Sequence, residues 1–568
     1  MKNLKEKLKK LRRILKENGI EGVKTKLQSK SRRKNEQKLY EKWIHRHGIL
    51  TDEKINLIEK ETAEFQYKPL ISIVLPVYNV EEKWLRKCLD SVINQLYENW
   101  ELCIADDFSP AKHIRKVLEE FSAKDSRIKI VFRTENGHIS EASNSALELA
   151  TGEFCALLDH DDELSKDALF YVIKELNAFP EADFIYTDED MIDEIGKRYE
   201  PKFKPDFSRE LFYSVNYLTH LAIYRTEILR KIGGWRKGFE GSQDYDLALR
   251  VIEEIPEKNI RHISRILYHW RAIQGSVALS AGEKPYAHER ARKAISEHLE
   301  RSGKRAKVVE TFRNFHRVRY ELPKDLPKVS LIFYSENDFD SVQEKIESFL
   351  SATDYENIET IFTENADAEK LNSAVSKATG EAVCFVDLNL KPVKNDWLKE
   401  LLSFAIQNEI GAVGTRILNR NEKILQHGFI VGTEEIISSA FKDFSKDESD
   451  TLARTNLVGN FSAVSIACFC VKKSLFENVG GFDFQHFPKR FFDADFCLKL
   501  GEKGLRIVFT PYAEMMKIDN KKRLNFEIEA TAEEKSYFVE KWRKVFENDP
   551  FHNPNLSKND GSFSINNK

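Results

Sequence analysis

Apolar and polar positions along this chain alternate between short buried runs and stripes at helical spacing. Ile71 to Leu75 is a continuous apolar run ended by Pro76, and Leu85, Cys88, Leu89, Val92, Ile93 and Leu96 then recur on one helix face. Glu101 to Ala105 reads as the next strand and ends in Asp106 and Asp107; a helix through Ile114, Val117, Leu118 and Phe121 and a strand from Ile128 to Phe132 follow. A small-residue helix around Asn144 to Ala150 leads to Gly152 and an apolar run, Phe154 to Leu158. That run empties into Asp159, His160, Asp161, Asp162 and Glu163, four acids in five positions. Phe184 to Thr187 is a further strand, running into Asp188, Glu189 and Asp190. This alternation predicts an α/β fold, a mainly parallel Rossmann-like sheet with helices on both faces. Parallel strands share one carboxyl edge, so Asp107, Asp159 and Asp188 are expected to converge there, at the usual ligand crevice. Carboxylates packed that closely repel one another unless something positive sits among them.

The pattern restarts at Val329. A strand to Phe333, a helix through Ile346 and Phe349, a strand from Glu359 to Phe362 and the run Ala382 to Asp387 repeat the first half in order. Gly380 and Glu381 match Gly152 and Glu153, and Asn372 matches Asn144, so the two halves read as an internal repeat. The second copy is shorter, lacking a counterpart to the helix and strand at 108–135. The expected division is a basic helical segment at 1–68, a first domain at 69–300, a Pro-containing linker at 301–327 and a second domain at 328–568.

Composition changes this picture little. At 568 residues, 41% apolar and 32% charged, the chain has the makeup of a folded multidomain protein. A net charge of −3 gives no global bias toward nucleic acid. The seven cysteines form no Cys-x-x-Cys pair and several lie in apolar runs, as small core residues of a reduced cytoplasmic protein do. No apolar stretch approaches the roughly 20 residues that cross a bilayer. Charge is concentrated at one end: Lys2 to Arg46 holds seventeen Lys or Arg against five Glu, with Leu4, Leu8, Leu11 and Leu15 on one helical stripe. That segment either packs on its own domain or a second subunit, or rests peripherally on an anionic membrane surface through residues 1–46.

Five stretches in fixed order carry a resemblance: ISIVLPVYN at 71–79, WELCIADDFS at 100–109, the block from Asn144 to Asp162, GSQDYDLALR at 241–250 and LYHWR at 267–271. Together they resemble a family 2 glycosyltransferase of the GT-A fold, in particular the large transferases of bacterial surface-polysaccharide assembly. The resemblance implies a nucleotide-sugar donor (UDP-, dTDP- or GDP-linked), a glycan, lipid-linked glycan or glycoprotein acceptor, and inversion at the anomeric carbon. The lead-in with Tyr40, Trp43 and His47 also resembles such proteins.

The chemistry asks for two things: a diphosphate leaving group must be neutralised, and an acceptor hydroxyl must lose its proton as it attacks. Asp159 and Asp161 form an Asp-x-Asp whose oxygens suit Mn2+ or Mg2+. The resemblance puts the metal on Asp161 and Asp159 nearer the ribose and first phosphate. It also puts Asp107 against the base, with Pro76 and Tyr78 lining the same pocket, Asp244 as the catalytic base, and His269 as the late histidine that reaches the metal or diphosphate. Each residue has a plainer reading as well. Asp162 or Ser165 can cap the next helix, Asp106 and Asp107 can be turn residues, Asp244 a helix cap, and His269 a packed ring beside Tyr268 and Trp270. Asp246, four residues before Arg250, is expected to pair with it.

In the second copy the metal motif has become Asp387-Leu388-Asn389, and Asp493 matches Asp244. Asp387, Asn389 and Asp493 are therefore a candidate second site, on a copy that is either an inactive partner or a divergent transferase. A nucleotidyltransferase is the enzymatic alternative, and Val77 to Val80 lacks the Gly-rich phosphate loop that it would show. A carbohydrate-binding or assembly scaffold is the alternative for 328–568.

Overall fold

The computed structural model describes residues 31–273, 285–335, 341–559 and 561–566. It contains two nine-stranded sheets in tandem. The first is built from β1 (Ile71–Val77), β2 (Trp100–Asp106), β3 (Ile128–Phe132), β4 (Phe154–Leu157), β5 (Glu163–Leu164), β6 (Phe184–Ile192), β7 (Arg198–Lys202), β8 (Ala222–Arg225) and β9 (Ile260–Arg271). Their spatial order is β3-β2-β1-β4-β8-β6-β9-β5, with β7 on the side of β6. Strands β1, β2, β3, β4, β6 and β9 run one way and β5, β7 and β8 the other. The sheet is thus mixed, with the parallel direction in the majority. Helices cover both faces; Glu82–Ile93 buries Leu85, Cys88, Leu89 and Val92 of the stripe its spacing predicts, together with Trp84, and ends before Leu96.

The stretch expected as a linker is structured. Within it β10 (Ala306–Glu310) and β11 (His316–Tyr320) form an antiparallel hairpin, in which Val308 faces Val318, a buried side chain.

The second sheet comprises β12 (Val329–Ser335), β13 (Ile358–Glu364), β14 (Ala382–Asp387), β15 (Leu390–Pro392), β16 (Ile410–Leu418) and β17 (Ile424–Gln426), while β18 (Phe429–Thr433) and β19 (Ile436–Ser439) pair apart from it. It is completed by β20 (Gly459–Asn460), β21 (Cys468–Lys472) and β22 (Arg506–Lys517), in the order β13-β12-β14-β21-β16-β22-β15. Removing β3 from the first order gives the same path, so the missing unit is the one the sequence lacks. The repeat extends to side chains. Gly152 N–H donates to Ser72 Oγ at 2.8 Å and Gly380 N–H to Ser330 Oγ at 2.9 Å. A Cβ at either glycine would stand 2.5 to 2.8 Å from a backbone carbonyl oxygen, Leu70 O or Lys328 O.

The two halves are stitched by the chain ends. Residues 31–43 are helical, and Tyr40 and Trp43 are buried, with Trp43 packed edge-on to Phe203. Trp43 Nε1 donates to Asn555 Oδ1 at 3.1 Å. The stripe from Leu4 to Leu15 and the basic residues before position 31 lie outside the described residues. Among the described residues, no helix is long and apolar enough to cross a membrane.

Candidate active site

The acidic stretch folds back on the end of β9. Leu158 N–H still bonds Val74 O, Asp159 N–H takes Tyr268 Oη at 3.2 Å, and a turn brings Glu163 opposite His269 in the β5–β9 ladder. Asp162 is the buried member. It accepts from Tyr268 Oη at 2.6 Å and Arg271 N at 2.7 Å, and burial followed by the charges of Asp161 and Asp159 pushes its carboxyl well up. Its role is to clamp the loop to β9; the helix Ala168–Ala178 has Asp167 at its N-cap position. Arg271, also buried, donates Nε to Asp161 O at 2.9 Å, pairs with Glu163 and lies 4.4 Å from the Trp84 ring centre. The Asp161 carboxyl is raised by burial and by Asp159, against the opposing pull of His160. A cation bound there would relieve that repulsion.

His269 gives Nδ1 to Asp190 Oδ1 at 2.5 Å, which leaves Nε2 as the ring's lone-pair nitrogen. Asp190 is itself fixed by Arg198 Nε at 2.5 Å and by Tyr40 Oη; burial raises its carboxyl, but the His269 ring first, then Arg198 and the Tyr40 hydroxyl, outweigh it and hold the group below the usual range. Among the described residues, no three His, Cys, Asp or Glu side chains cluster as a closed metal site. Asp161, on the turn, and His269, on the strand that the turn pairs with, are the residues that could hold a divalent ion, whose other ligands would be phosphate oxygens and water.

Strand-end convergence is only partly as expected. Strand β6 runs past Thr187 to Ile192, so Asp188, Glu189 and Asp190 are interior strand residues, all buried. Each is answered by partners: Asp188 by His262 at 3.0 Å, Glu189 by Lys202 at 2.5 Å and Lys204 at 3.0 Å, and Asp190 as above. Asp107 follows β2 and is 2% exposed; Gly137 N–H and Arg133 Nε both lie 2.9 Å from its Oδ1. Asp106 instead accepts from Ser109 N–H, as a turn residue does. Tyr78 stands at the same edge, 47% exposed.

Beside this edge opens a cleft of about 410 Å³, lined by Pro76, Asp159, His220, Trp235, Asp244 and Tyr268 among others. Asp244 is the second residue of the helix Gln243–Glu254. Its Oδ2 accepts from Gln243 Nε2 at 3.1 Å, and Trp235 Nε1 lies 3.4 Å from Oδ1. Burial first and the Asp159 charge second push its carboxyl up to about 6, while His220 pulls the other way. Desolvation therefore outweighs the favourable helix N-terminus, and the group titrates close to neutrality. Asp246 faces away and pairs with Arg250 at 3.0 Å, as its spacing predicts, and with Arg236.

His220 has a place that the sequence pattern does not single out. Its ring stacks on Tyr268 at 4.7 Å, its Nδ1 lies 3.2 Å from Glu189 Oε2 and its Nε2 3.9 Å from Asp159 Oδ2. The structure thus brings Pro76, Asp159 and Asp244 to one cleft with His220. Asp161 and His269 lie on the adjoining turn and strand, and Asp107 and Tyr78 on the neighbouring loops.

The family model described as Glycosyl transferase family 2 matches residues 72–233, a span that includes the acidic turn and His220. Residues 72–233 form a glycosyltransferase family 2 domain. The chain is 36% identical over 539 residues to an uncharacterized protein of Sinorhizobium fredii, covering 88% of this chain and 59% of that one. It is 31% identical over 533 residues to the O-antigen biosynthesis protein RfbC of Myxococcus xanthus, covering 89% and 42%. The chain thus spans about half the length of these curated relatives. Among solved structures, S. aureus TarS 1-349 in complex with UDP-GlcNAc aligns with a TM-score of 0.34 at 21% identity, covering 40% of this chain and 66% of that one.

The family 2 domain can be laid on the second copy through the strand registers. Pairing of β4 with β8 and of β14 with β21 puts Ala467 at the position of His220 and Phe469 at that of Ala222. Pairing of β6 with β9 and of β16 with β22 puts Leu418 and Met516 where Asp190 and His269 stand. Phe482 replaces Trp235: Asn372 brackets Phe482 with hydrogen bonds at 2.8 and 3.0 Å, as Asn144 brackets Trp235 at 2.9 Å. Asp493 is fully buried and its oxygens accept from Ile466 N–H and Ala494 N–H, both at 2.9 Å. Asp387 and Asn389 line a separate pocket of about 320 Å³ with Lys522 and Arg523. Asp493 lies outside that pocket's lining. Asn389 has become a loop staple, its Nδ2 donating to Asp519 O at 2.9 Å and its Oδ1 accepting Asp519 N–H at 2.8 Å.

Proposed function

We propose that this chain is an inverting, divalent-metal-dependent glycosyltransferase. It moves a sugar from a nucleotide-sugar donor (UDP-, dTDP- or GDP-linked) to a hydroxyl of a glycan, lipid-linked glycan or glycoprotein acceptor. Residues 69–300 form the catalytic domain and residues 328–568 a non-catalytic copy. The observation that carries this reading is Asp244: a carboxylate pushed up to about 6, just beyond the residues 72–233 that match family 2, in a cleft it shares with Asp159 from within that span.

Asp244 takes the proton of the acceptor hydroxyl as that oxygen attacks the anomeric carbon from the face opposite the diphosphate. The new C–O bond forms as the bond to the diphosphate breaks, and the nucleoside diphosphate leaves with the electron pair. A single base and a single displacement give inversion. Asp107, Pro76 and Tyr78 hold the base end of the donor, and Asp159 the ribose and first phosphate. Mn2+ or Mg2+, held by Asp161 and His269, would supply positive charge to the departing diphosphate. His220 and Trp235 border Asp244 and exclude water from it. In the second copy the phenylalanines at 469 and 482 and the loss of the His269, His220 and Asp161 equivalents support binding or scaffolding rather than transfer.

RfbC, whose name is O-antigen biosynthesis protein, supports a bacterial surface polysaccharide as the product. All seven cysteines are free and buried, which supports a cytoplasmic reaction. Contact of residues 1–46 with the inner face of an anionic membrane follows from their charge; unchanged sedimentation with anionic vesicles after removal of residues 1–30 would count against it. The reaction is tested by release of nucleotide from a panel of UDP-, GDP- and dTDP-sugars with Mn2+ or Mg2+. Turnover by the native chain and its loss in Asp244→Asn is the expected result, and no hydrolysis or transfer with any donor would overturn the proposal.

A further inference from the structure

A buried polar chain that begins under the cleft ends in the C-terminal segment. Asp549 anchors that segment on the second half, accepting from Val431 N–H and Ser462 Oγ, both at 2.7 Å. At Pro550 it reaches the first half, where Asp206 N–H donates to Pro550 O at 2.8 Å. Asn553 then inserts its amide beside β6. Its Nδ2 lies 3.1 and 2.9 Å from the two Asp188 oxygens and 2.8 Å from Lys204 O. Lys204 N–H donates to Asp188 Oδ1 at 2.8 Å, so Asp188 and Asn553 together fix the Lys204 backbone. Lys204 Nζ reaches onward to Glu189 Oε2 at 3.0 Å, His220 O at 3.1 Å and Thr219 O. Glu189 Oε2 also meets His220 Nδ1 at 3.2 Å.

Asp188, Glu189, Lys204 and Asn553 are each at most 2% exposed, so water has little room to replace a lost partner. Asn553 adds no charge, and His262 already answers the Asp188 carboxylate. What the amide supplies is orientation: the two hydrogens of its Nδ2 are directed at the Asp188 carboxylate and at Lys204 O.

We propose that Asn553 is a positioning residue which, through Asp188 and Lys204, sets where His220 stands between Asp159 and Asp244. On this view the second half completes the site of the first. The proposal rests on the transferase reading above and adds to it what the chain's distant end contributes.

The test is a double-mutant cycle in the full chain, with N553A, H220A and the pair. N553A is expected to lower kcat about tenfold, the scale of a small misplacement in a site. The Kd for UDP or GDP, measured by calorimetry, should stay unchanged. In the H220A background the same change should alter kcat by about twofold or less, because the residue it acts through is gone. S557A, which removes a hydroxyl that accepts from Asn559 N–H and has no side-chain bond to Asn553, controls for general loosening of the tail. A readout independent of turnover is the His220 ring resonance in histidine-labelled protein, assigned by its loss in H220A; N553A should move it and S557A should not. Equal losses of kcat in both backgrounds, or an unmoved ring resonance, would overturn the proposal. If the native chain transfers no sugar, the resonance still decides the positioning role while the transferase reading fails. If N553A does not fold, N553S, which keeps one hydrogen-bond donor, takes its place in the same cycle.

Discussion

His269 and Asp190 meet side by side on β9 and β6, Nδ1 to Oδ1 at 2.5 Å, and at the same two positions of the second copy stand Met516 and Leu418. A histidine whose Nδ1 proton is pinned by a carboxylate offers Nε2 in a fixed direction, the arrangement of metal-binding imidazoles. The first prediction follows from this pair. H269A should weaken Mn2+ binding, measured by calorimetry in the presence of a nucleoside diphosphate, by about 10- to 100-fold. D190N should weaken it in the same direction and, by leaving Arg198 without its buried counter-ion, cost about 3 kcal/mol of stability. Unchanged metal affinity in both would place His269 among packed residues.

Asp244 predicts a pH profile. A base works in its ionised form, so kcat should fall as pH drops through about 6, where burial and Asp159 have placed it. Above that value activity should level off until another group intervenes. D244N should lose about 10²- to 10⁴-fold in kcat while binding donor normally. An acidic limb near pH 4 would mean that Asp244 is not the group being titrated.

His262 predicts a different pH effect, on stability. Its ring lies 3.0 Å from Asp188 and 3.1 Å from Asp206, and although burial opposes the charge, these carboxylates raise it from 6.5 to about 9. A cation favoured by the folded state contributes its full stability below pH 6.5 and loses it as pH rises through about 9. Roughly 3 kcal/mol is at stake across that window. The thermal midpoint should therefore decline between pH 7 and 9, and H262Q should flatten the decline. An identical slope in native protein and variant would rule out His262 as its source.

The elements visible in the sequence are those made by local patterning. Apolar runs such as Ile71 to Leu75 and stripes such as Leu85 to Val92 dictate strands and helices wherever they occur, and a duplicated pattern dictates a duplicated sheet. The Asp246–Arg250 pair is legible because four residues is one helical turn. The acids of β6 mislead for the opposite reason: charges normally end a strand, yet here Arg198, Lys202, Lys204, His262 and His269 arrive from later segments to neutralise them. His220 and Asn553 carry no local signal. Their roles come from what the fold places beside them, about 30 and 365 residues away in the chain.

Asp493 tests the second copy. It aligns with Asp244, yet it is fully buried and its oxygens are taken by two backbone N–H groups. D493N should leave kcat per folded molecule unchanged within about twofold and cost about 1–3 kcal/mol of stability, the range for disturbing a buried hydrogen-bonded group. A loss of turnover comparable to that of D244N would make the second copy catalytic.

The sharpest comparison between the copies lies at two glycines. Gly234 has φ +65°, and a Cβ there would stand 2.2 Å from Asn144 Oδ1; Gly481 has φ +66°, and its Cβ would stand 2.7 Å from Asn372 Oδ1. Each asparagine brackets the residue that follows its glycine, Trp235 in the first copy and Phe482 in the second. Alanine at either site must displace the asparagine and hold a left-handed backbone, at a cost of about 1–3 kcal/mol. The consequences for chemistry should differ. G234A moves Trp235 away from Asp244, so it should lower kcat and shift its acidic limb as well as the melting temperature. G481A moves a phenylalanine in a closed core, so it should lower the melting temperature alone. Equal effects of the two variants on kcat would show that Trp235 contributes packing and nothing more.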